Sequence, residues 1–212
     1  MLVDLHVHTS VSSPCSQIEP RLLIRAAAEI GLDALCVTEH EELEGAEVAR
    51  RLGDEEGFPV FRGVEVYTDM GDMLVFGACR TRYPVTTPFA ELLEEARSEG
   101  GVIIPCHPCR GSLGFHHALG EERAEFLLSN VDAIEVRNGG SSPESNLAAE
   151  VYGLPGVGGS DAHFIMQIGR CLTVFEREIG SEEELVEEIR AGRCRAAYAA
   201  EVEGLRASML WR

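Results

Sequence analysis

Short apolar runs alternate with stretches of helical spacing along the whole chain. Strand-like runs fall at 1–7, 33–38, 60–66, 73–79, 101–106, 133–136, 156–159, 171–175 and 195–198. Between them, 20–30 places Leu22, Leu23, Ala26, Ala27 and Ile30 at helical intervals, and 89–99 does the same with Leu92, Leu93 and Ala96. Gly31, Gly100-Gly101 and Gly192 follow expected helix ends, where a left-handed residue closes the last turn. Ser142-Pro143 reads as a cap followed by a first-turn proline. Ser181 to Glu184 reads as a capping box whose helix closes near Arg190 and Arg193, with charges that complement its dipole. Strand alternating with helix predicts an α/β fold built on parallel strands. No internal repeat or low-complexity linker divides the sequence, so a single domain over 1–212 is expected.

Composition narrows the class. The chain is 45% hydrophobic and 25% charged, an ordinary globular balance, and 212 residues suffice for one sizeable core. No apolar run approaches the roughly 20 residues of a membrane span, and the first residues lack the basic-then-apolar form of a signal peptide. A cytoplasmic protein is expected, without membrane association. Seven cysteines, an odd number set partly in apolar segments, suit buried thiols in a reducing compartment better than a disulfide framework. The lone C-x-x-C spacing, Cys106-His107-Pro108-Cys109, is weak evidence for zinc. The formal net charge of −18 repels nucleic-acid phosphates at long range, so long nucleic acid is not an expected partner. It leaves room for a small phosphorylated substrate, because clustered metal ions reverse the local field.

Polar residues of chemical interest gather just after the strand-like runs. His6 and His8 stand at i and i+2 of the first, so both imidazoles share one face and form half of a metal site. Ser160-Asp161-Ala162-His163 repeats the device with a carboxylate and an imidazole. Of seven histidines, His6, His8, His40, His107 and His163 occupy strand-to-loop junctions, and Glu65 and Asp161 sit at junctions of the same kind. A buried unpaired carboxylate is costly, and a metal ion removes that cost. In α/β barrels and open sheets the carboxyl ends of strands are where sites assemble.

Taken in order, these segments resemble the polymerase and histidinol phosphatase (PHP) family. The matching stretches are Asp4-Leu5-His6-Val7-His8-Thr9, Thr38-Glu39-His40, Gly63-Val64-Glu65, Ile104-Pro105-Cys106-His107-Pro108, Ile134-Glu135-Val136-Arg137-Asn138 and Gly159-Ser160-Asp161-Ala162-His163. The resemblance runs from about residue 1 to 175. It implies a distorted (βα)7-type barrel with two or three divalent metals at its carboxyl end. By that likeness His6, His8, Glu65 and Asp161 would hold one metal, Glu65 would bridge to a second held by His107, and His40 and His163 would hold a third. Asp72 stands where many members carry a histidine. It is either an oxygen ligand or a solvated turn residue. The loop Ser12-Ser13-Pro14-Cys15-Ser16 lacks the aspartate or histidine that many members have there. Its Cys15 is read as a turn residue ahead of a thiolate ligand. Glu39 replaces the family's usual aspartate and is expected to orient a ligand histidine rather than bind metal.

The implied activity is a metal-dependent phosphoesterase acting on a small phosphorylated metabolite or nucleotide through a metal-activated hydroxide. Glu65 and Asp161 would be the catalytic carboxylates, and manganese, zinc or iron would suit the donors. Arg110 is the foremost candidate for a phosphate clamp, with Asn138 and Arg137 beside it. His116 and His117 read as exposed loop residues, with a general-acid or gating role as the sharper alternative. No G-x-S-x-G elbow or Walker motif is present. The competing readings are a non-catalytic metal-binding regulatory module and a nuclease-type phosphodiesterase.

Overall fold

A computed structural model describes residues 1–77, 80–111 and 114–206. Among these described residues nine strands appear: β1 (Leu2–Val7), β2 (Ala34–His40), β3 (Val60–Thr68), β4 (Gly71–Phe76), β5 (Val102–Pro105), β6 (Ile134–Asn138), β7 (Gly156–Gly159), β8 (Cys171–Phe175) and β9 (Cys194–Tyr198). The helices are α1 (Pro20–Ile30), α2 (Glu44–Glu56), α3 (Phe89–Glu99), α4 (Phe115–Ala118), α5 (Glu121–Leu128), α6 (Pro143–Ala149) and α7 (Glu182–Arg190). The expected strand at 73–79 ends in residues outside those described.

One sheet runs β5-β4-β3-β2-β1-β8-β9, and β6 pairs with β7 in a second. The second sheet fills the gap in a curled ring. Val7 and Ala162 form a parallel bridge just past β7. His8 N donates to Ala162 O at 3.1 Å, and Asp161 N donates to His6 O at 2.7 Å. On the other side Asp132 N donates to Ile103 O at 3.1 Å, tying the approach to β6 to β5. The α/β architecture is a distorted barrel, as the resemblance implied.

The expectation of parallel strands holds for β1, β2 and β3 and for β6 with β7. It fails for β4, which is antiparallel to both β3 and β5. The reason is chain length: Asp69 and Met70 alone separate β3 from β4, which allows a hairpin but not a crossover helix. β8 also runs antiparallel to β1, and β9 to β8. The reversal of β4 brings its first residues, Asp72 among them, to the end of the ring where β1, β2, β3 and β5 finish.

The expected caps are present. Gly31, Gly100 and Gly192 adopt φ of 94°, 80° and 65°. The Ser142 side chain accepts from Ser145 N, and that of Ser181 from Glu184 N. Glu184 does not complete a capping box on Ser181, because its carboxylate takes Gly180 N instead. Two apolar clusters bury the sheet. One seats Leu23, Ile24 and Ala27 of α1, Ala46 and Ala49 of α2, and Phe89 and Leu92 of α3. The other packs Leu185, Val186 and Ile189 of α7 against Phe76, Val102 and Ile104. Each fully buried aliphatic or aromatic side chain contributes about 1.5–3 kcal/mol. The six described cysteines are all free thiols. Among the described residues no helix is long and apolar enough to cross a membrane.

Candidate metal centre

The ring gathers seven of the expected ligands into one cluster. His6 lies in β1 and His8 just beyond it, His40 ends β2, Glu65 lies in β3, His107 follows β5, and Asp161 and His163 follow β7. His6 Nε2 and His8 Nε2 are 3.1 Å apart. Glu65 Oε2 lies 3.3 Å from His6 Nε2, 3.2 Å from His8 Nε2 and 3.0 Å from His40 Nδ1. Its other oxygen, Oε1, faces His107 Nε2 at 3.0 Å. Asp161 Oδ1 is 3.6 Å from His6 Nε2, 3.4 Å from His8 Nε2 and 3.6 Å from His163 Nδ1. Three groupings have ligand atoms within 4.8 Å of one another: His8, His40 and His163; His6, His8 and Asp161; and His6, Glu65 and His107.

These spacings suit a metal. Donors about 2.0–2.1 Å from a tetrahedral zinc ion lie roughly 3.3 Å from each other, close to the separations above. Glu65 Oε2 is buried and, among the described residues, has no hydrogen-bond partner despite its three imidazole neighbours; His107 Nδ1 is likewise unpartnered. Buried polar atoms are seldom left so. The mixed imidazole and carboxylate donor set suits first-row divalent ions. Because the two oxygens of Glu65 face different histidine groups, this carboxylate is placed to bridge.

Burial alone would push the imidazoles down and the acids up. The neighbouring opposite charges outweigh it. Burial lowers His6, but Glu135, Asp161 and Glu65 together hold it well above its ordinary value. His8 is raised to about 9 against the same penalty, through Asp161 and Glu65. Burial raises Glu65 and Asp161, but the facing histidines leave both well below the ordinary carboxylate range. His163 is lowered by its own burial and by His8. The imidazolium groups supply positive charge against these carboxylates.

The surrounding residues fix the ligands. Glu135, buried in β6, meets His6 Nδ1 at 3.0 Å and accepts from His107 N at 2.7 Å. A carboxylate on the remote nitrogen of a ligand histidine fixes its orientation and raises its basicity. Asp4, fully buried, accepts from Ser160 N at 2.8 Å and Gly169 N at 2.9 Å, clipping β1 to the segment that carries Asp161. Burial pushes its carboxyl up to about 6. His107 and Asp161 have φ of 34° and 53°. Such backbone costs of order 1–3 kcal/mol in a non-glycine residue and gathers at functional sites.

Other expected residues have distinct placements. Asp72 is part of β4 rather than a solvated turn. Its carboxylate lies 3.9 Å from His107 Nε2, and burial, then Glu65, raises it to about 6. Cys15 is exposed and joins none of the three groupings. Arg110 NH1 donates to Asp161 Oδ2 at 2.5 Å while its side chain stays 36% exposed, so it stands at the cluster with donors open to solvent. Asn138 is fully buried, donates to Glu135 at 2.9 Å and accepts from Gly140 N and Ser141 Oγ; it shapes the loop after β6. Arg137 points elsewhere, paired with Glu150 and stacked on Tyr198. His116 and His117 lie in the short helix α4, with His116 bonded to the Tyr152 hydroxyl. Among the described residues Glu39 hydrogen-bonds to none of the candidate ligand side chains directly; it takes Thr9 N, Thr9 Oγ1 and Ser13 Oγ. The roles of Glu135, Asp4 and Ser13 were not anticipated. An acid inside the apolar run Ile134-Glu135-Val136 was the available signal, since such an acid needs buried partners.

A cluster of histidines and carboxylates at the carboxyl end of a curled α/β ring forms a candidate metal site. A model of the PHP domain matches residues 4–132, and one described as PHP-associated matches 144–194. The chain belongs to the PHP family of metal-dependent phosphoesterases. It is 23% identical over 215 residues to the probable histidinol-phosphatase of Thermotoga maritima, covering 84% of this chain and 91% of that one. A two-domain protein from Bacteroides vulgatus, containing a predicted PHP-like metal-dependent phosphoesterase, superposes with a TM-score of 0.74 at 21% identity; the match covers 93% of this chain and 64% of that one. The lesion-specific endonuclease of Pyrococcus furiosus superposes with a TM-score of 0.69 at 15% identity, covering 92% of this chain and 57% of that one. More than a third of each of those two proteins thus lies outside the likeness.

Proposed function

We propose that this chain hydrolyses the phosphoester of a small phosphorylated substrate at a centre of two or three divalent ions. His6, His8, His40, Glu65, His107, Asp161 and His163 would hold the ions, with Asp72 as a further oxygen donor. Divalent ions bound there would supply an activated water for attack and positive charge for the phosphoryl oxygens. The observation that carries the reading is the two-sided exposure of Glu65, Oε1 toward His107 and Oε2 toward His6, His8 and His40. Manganese, zinc and iron all suit these donors.

The remaining residues have separate tasks. Arg110 keeps one nitrogen on Asp161 and offers its other N–H groups to two oxygens of a phosphate. Asp161 thereby couples the clamp to the ligand set through its two oxygens. Asn138 holds the glycine turn after β6 and leaves the phosphate to Arg110. Cytoplasmic residence accords with the six free thiols.

The net charge of −18 favours a small substrate over a long nucleic acid. The test is a hydrolysis panel with added manganese or zinc: phosphomonoesters, a small bis-ester and a duplex with an abasic site. Turnover of a monoester or small nucleotide, lost in His8→Ala and Asp161→Ala variants that still fold, supports the proposal. Cleavage of the duplex alone would assign a nuclease instead. Tight metal binding with no turnover of any substrate would assign a regulatory module.

A further inference from the structure

We propose that Glu39, acting through the Ser13 hydroxyl, fixes the tautomer of His8, so that His8 Nε2 presents its lone pair to the metal centre. The inference rests on the metal-centre reading above and deepens it with two residues that touch no ion.

Proton counting carries it. Glu39, Ser13, Thr9 and His8 are all fully buried, so water cannot relieve their polar groups. Ser13 Oγ has three partners: Glu39 Oε2, His8 Nδ1 at 3.3 Å and the backbone N–H of His40 at 3.3 Å. A serine hydroxyl has one proton to give and two lone pairs to fill. The His40 N–H can only donate, so it takes one lone pair. A carboxylate can only accept, so the Ser13 proton goes to Glu39. One lone pair remains, and His8 must donate to it from Nδ1. The neutral ring then carries no proton on Nε2, the nitrogen that lies 3.1 Å from His6 Nε2, 3.2 Å from Glu65 Oε2 and 3.4 Å from Asp161 Oδ1.

The fold makes a specific place for this carboxylate. A Cβ built on Gly45, in the first turn of α2, would stand 2.0 Å from Glu39 Oε1 and 2.7 Å from Glu39 Cγ. Glycine at 45 therefore leaves the volume that Glu39 fills. From there the carboxylate also takes the Thr9 amide and hydroxyl, holding the turn that follows His8. Glu39 and Ser13 are positioning residues: both sit behind the imidazole, on the side away from Glu65 and Asp161.

Replacing Glu39 by glutamine, with its amide oxygen kept on Thr9 and its NH2 donating to Ser13, frees the Ser13 proton. The hydroxyl can then donate to His8 Nδ1, which moves the ring proton to Nε2, where it bonds to Glu65 or Asp161 and blocks the metal. Zinc affinity of the full chain, measured by chelator competition, tests this in wild type, Ser13→Ala, Glu39→Gln and the double variant. Each single variant should bind zinc roughly 10–100-fold more weakly, with the metal-free proteins still folded by circular dichroism. The double variant should lose little beyond the weaker single one, because the two residues act in series. Nitrogen-15 spectra of zinc-loaded wild type should place the His8 proton on Nδ1. Unchanged zinc affinity in Ser13→Ala, fully additive losses, or a zinc-loaded His8 without a proton on Nδ1 would overturn the proposal. A wild-type chain that binds no zinc, manganese or iron would overturn the metal-centre reading itself, and this inference with it.

Discussion

Gly159→Ala should damage the metal centre without touching a ligand. Gly159 ends β7, and a Cβ there would stand 2.3 Å from His6 Cβ, 2.7 Å from His6 N and 3.1 Å from Glu135 Oε1. The atoms it meets first are the backbone and first side-chain carbon of β1, a strand paired with β2 on one side and β8 on the other, and they cannot swing away. Carbon atoms rest about 3.5–4.0 Å apart, so His6 must retreat by roughly 1.2 Å. Overpacking of this kind costs about 1–3 kcal/mol. For a chain of this size that is a fall in Tm of roughly 2–12 °C. Metal affinity should suffer more, since metal–ligand distances are held to about 0.2 Å. A shift five or six times larger should weaken zinc binding at least 100-fold. Gly156→Ala is the control: its Cβ would meet the terminal Val136 Cγ2 at 2.7 Å, at the far end of the same strand. It should lower Tm and leave zinc affinity within a few fold. Chelator competition and thermal melts on both variants decide the matter. Wild-type affinity in Gly159→Ala, or equal losses in the two variants, would refute the reasoning.

Further outcomes are expected. Arg110→Ala should lower kcat/KM roughly 10–100-fold, the value of a charged hydrogen bond of about 1.5–3 kcal/mol, with metal content unchanged by elemental analysis. Zinc or manganese at 100 times its dissociation constant should add about 2.7 kcal/mol of stability, raising Tm by roughly 5–11 °C in a thermal melt. The metal-free protein should lose stability as pH rises. The His8 pKa stands at about 9, above its unfolded 6.5, so its contribution is complete below pH 6.5 and disappears as pH passes 9. Metal affinity should move the opposite way, rising with pH over that window because the ion displaces imidazole protons; Tm and affinity series between pH 6 and 10 check both.

The strand ends of this site were legible because the chemistry is concentrated there. Apolar runs ending in His6 and His8, His40, Glu65, His107 and Asp161 announced where these side chains gather, and the resemblance to the PHP family supplied the ring. The reversal of β4 was less visible, although the six residues between the expected strands at 60–66 and 73–79 already leave no room for a crossover. That reversal turned the open question about Asp72 into a position: the start of a strand at the site's end of the ring. Helix α2 gave little signal, because Gly45 and Gly53 interrupt its pattern and both are there for space. A Cβ at 53 would meet Phe58 O at 2.6 Å, as one at 45 would meet Glu39. Supporting contacts were the least legible, since Ser13 meets Glu39 26 positions away, Glu135 meets His6 129 away and Asp4 meets Gly169 165 away, and no local pattern encodes such distances.

The protonation of the cluster follows from the same placement as its ligands. Glu65 and Asp161 are buried at 3% and 6% exposure, where an isolated carboxylate would be neutral. They are held as anions because His6, His8 and His107 stand against them and are raised in turn. The remote nitrogens of His6 and His8 face Glu135 and Ser13, which can keep a proton there in either state. What changes on loading is therefore confined to the inward nitrogens, where a proton and a metal ion compete for one lone pair. A metal ion bound there would exchange with protons on those nitrogens. The positive φ at His107 and Asp161 is held by the hydrogen bonds from His107 N to Glu135 and from Asp161 N to His6 O.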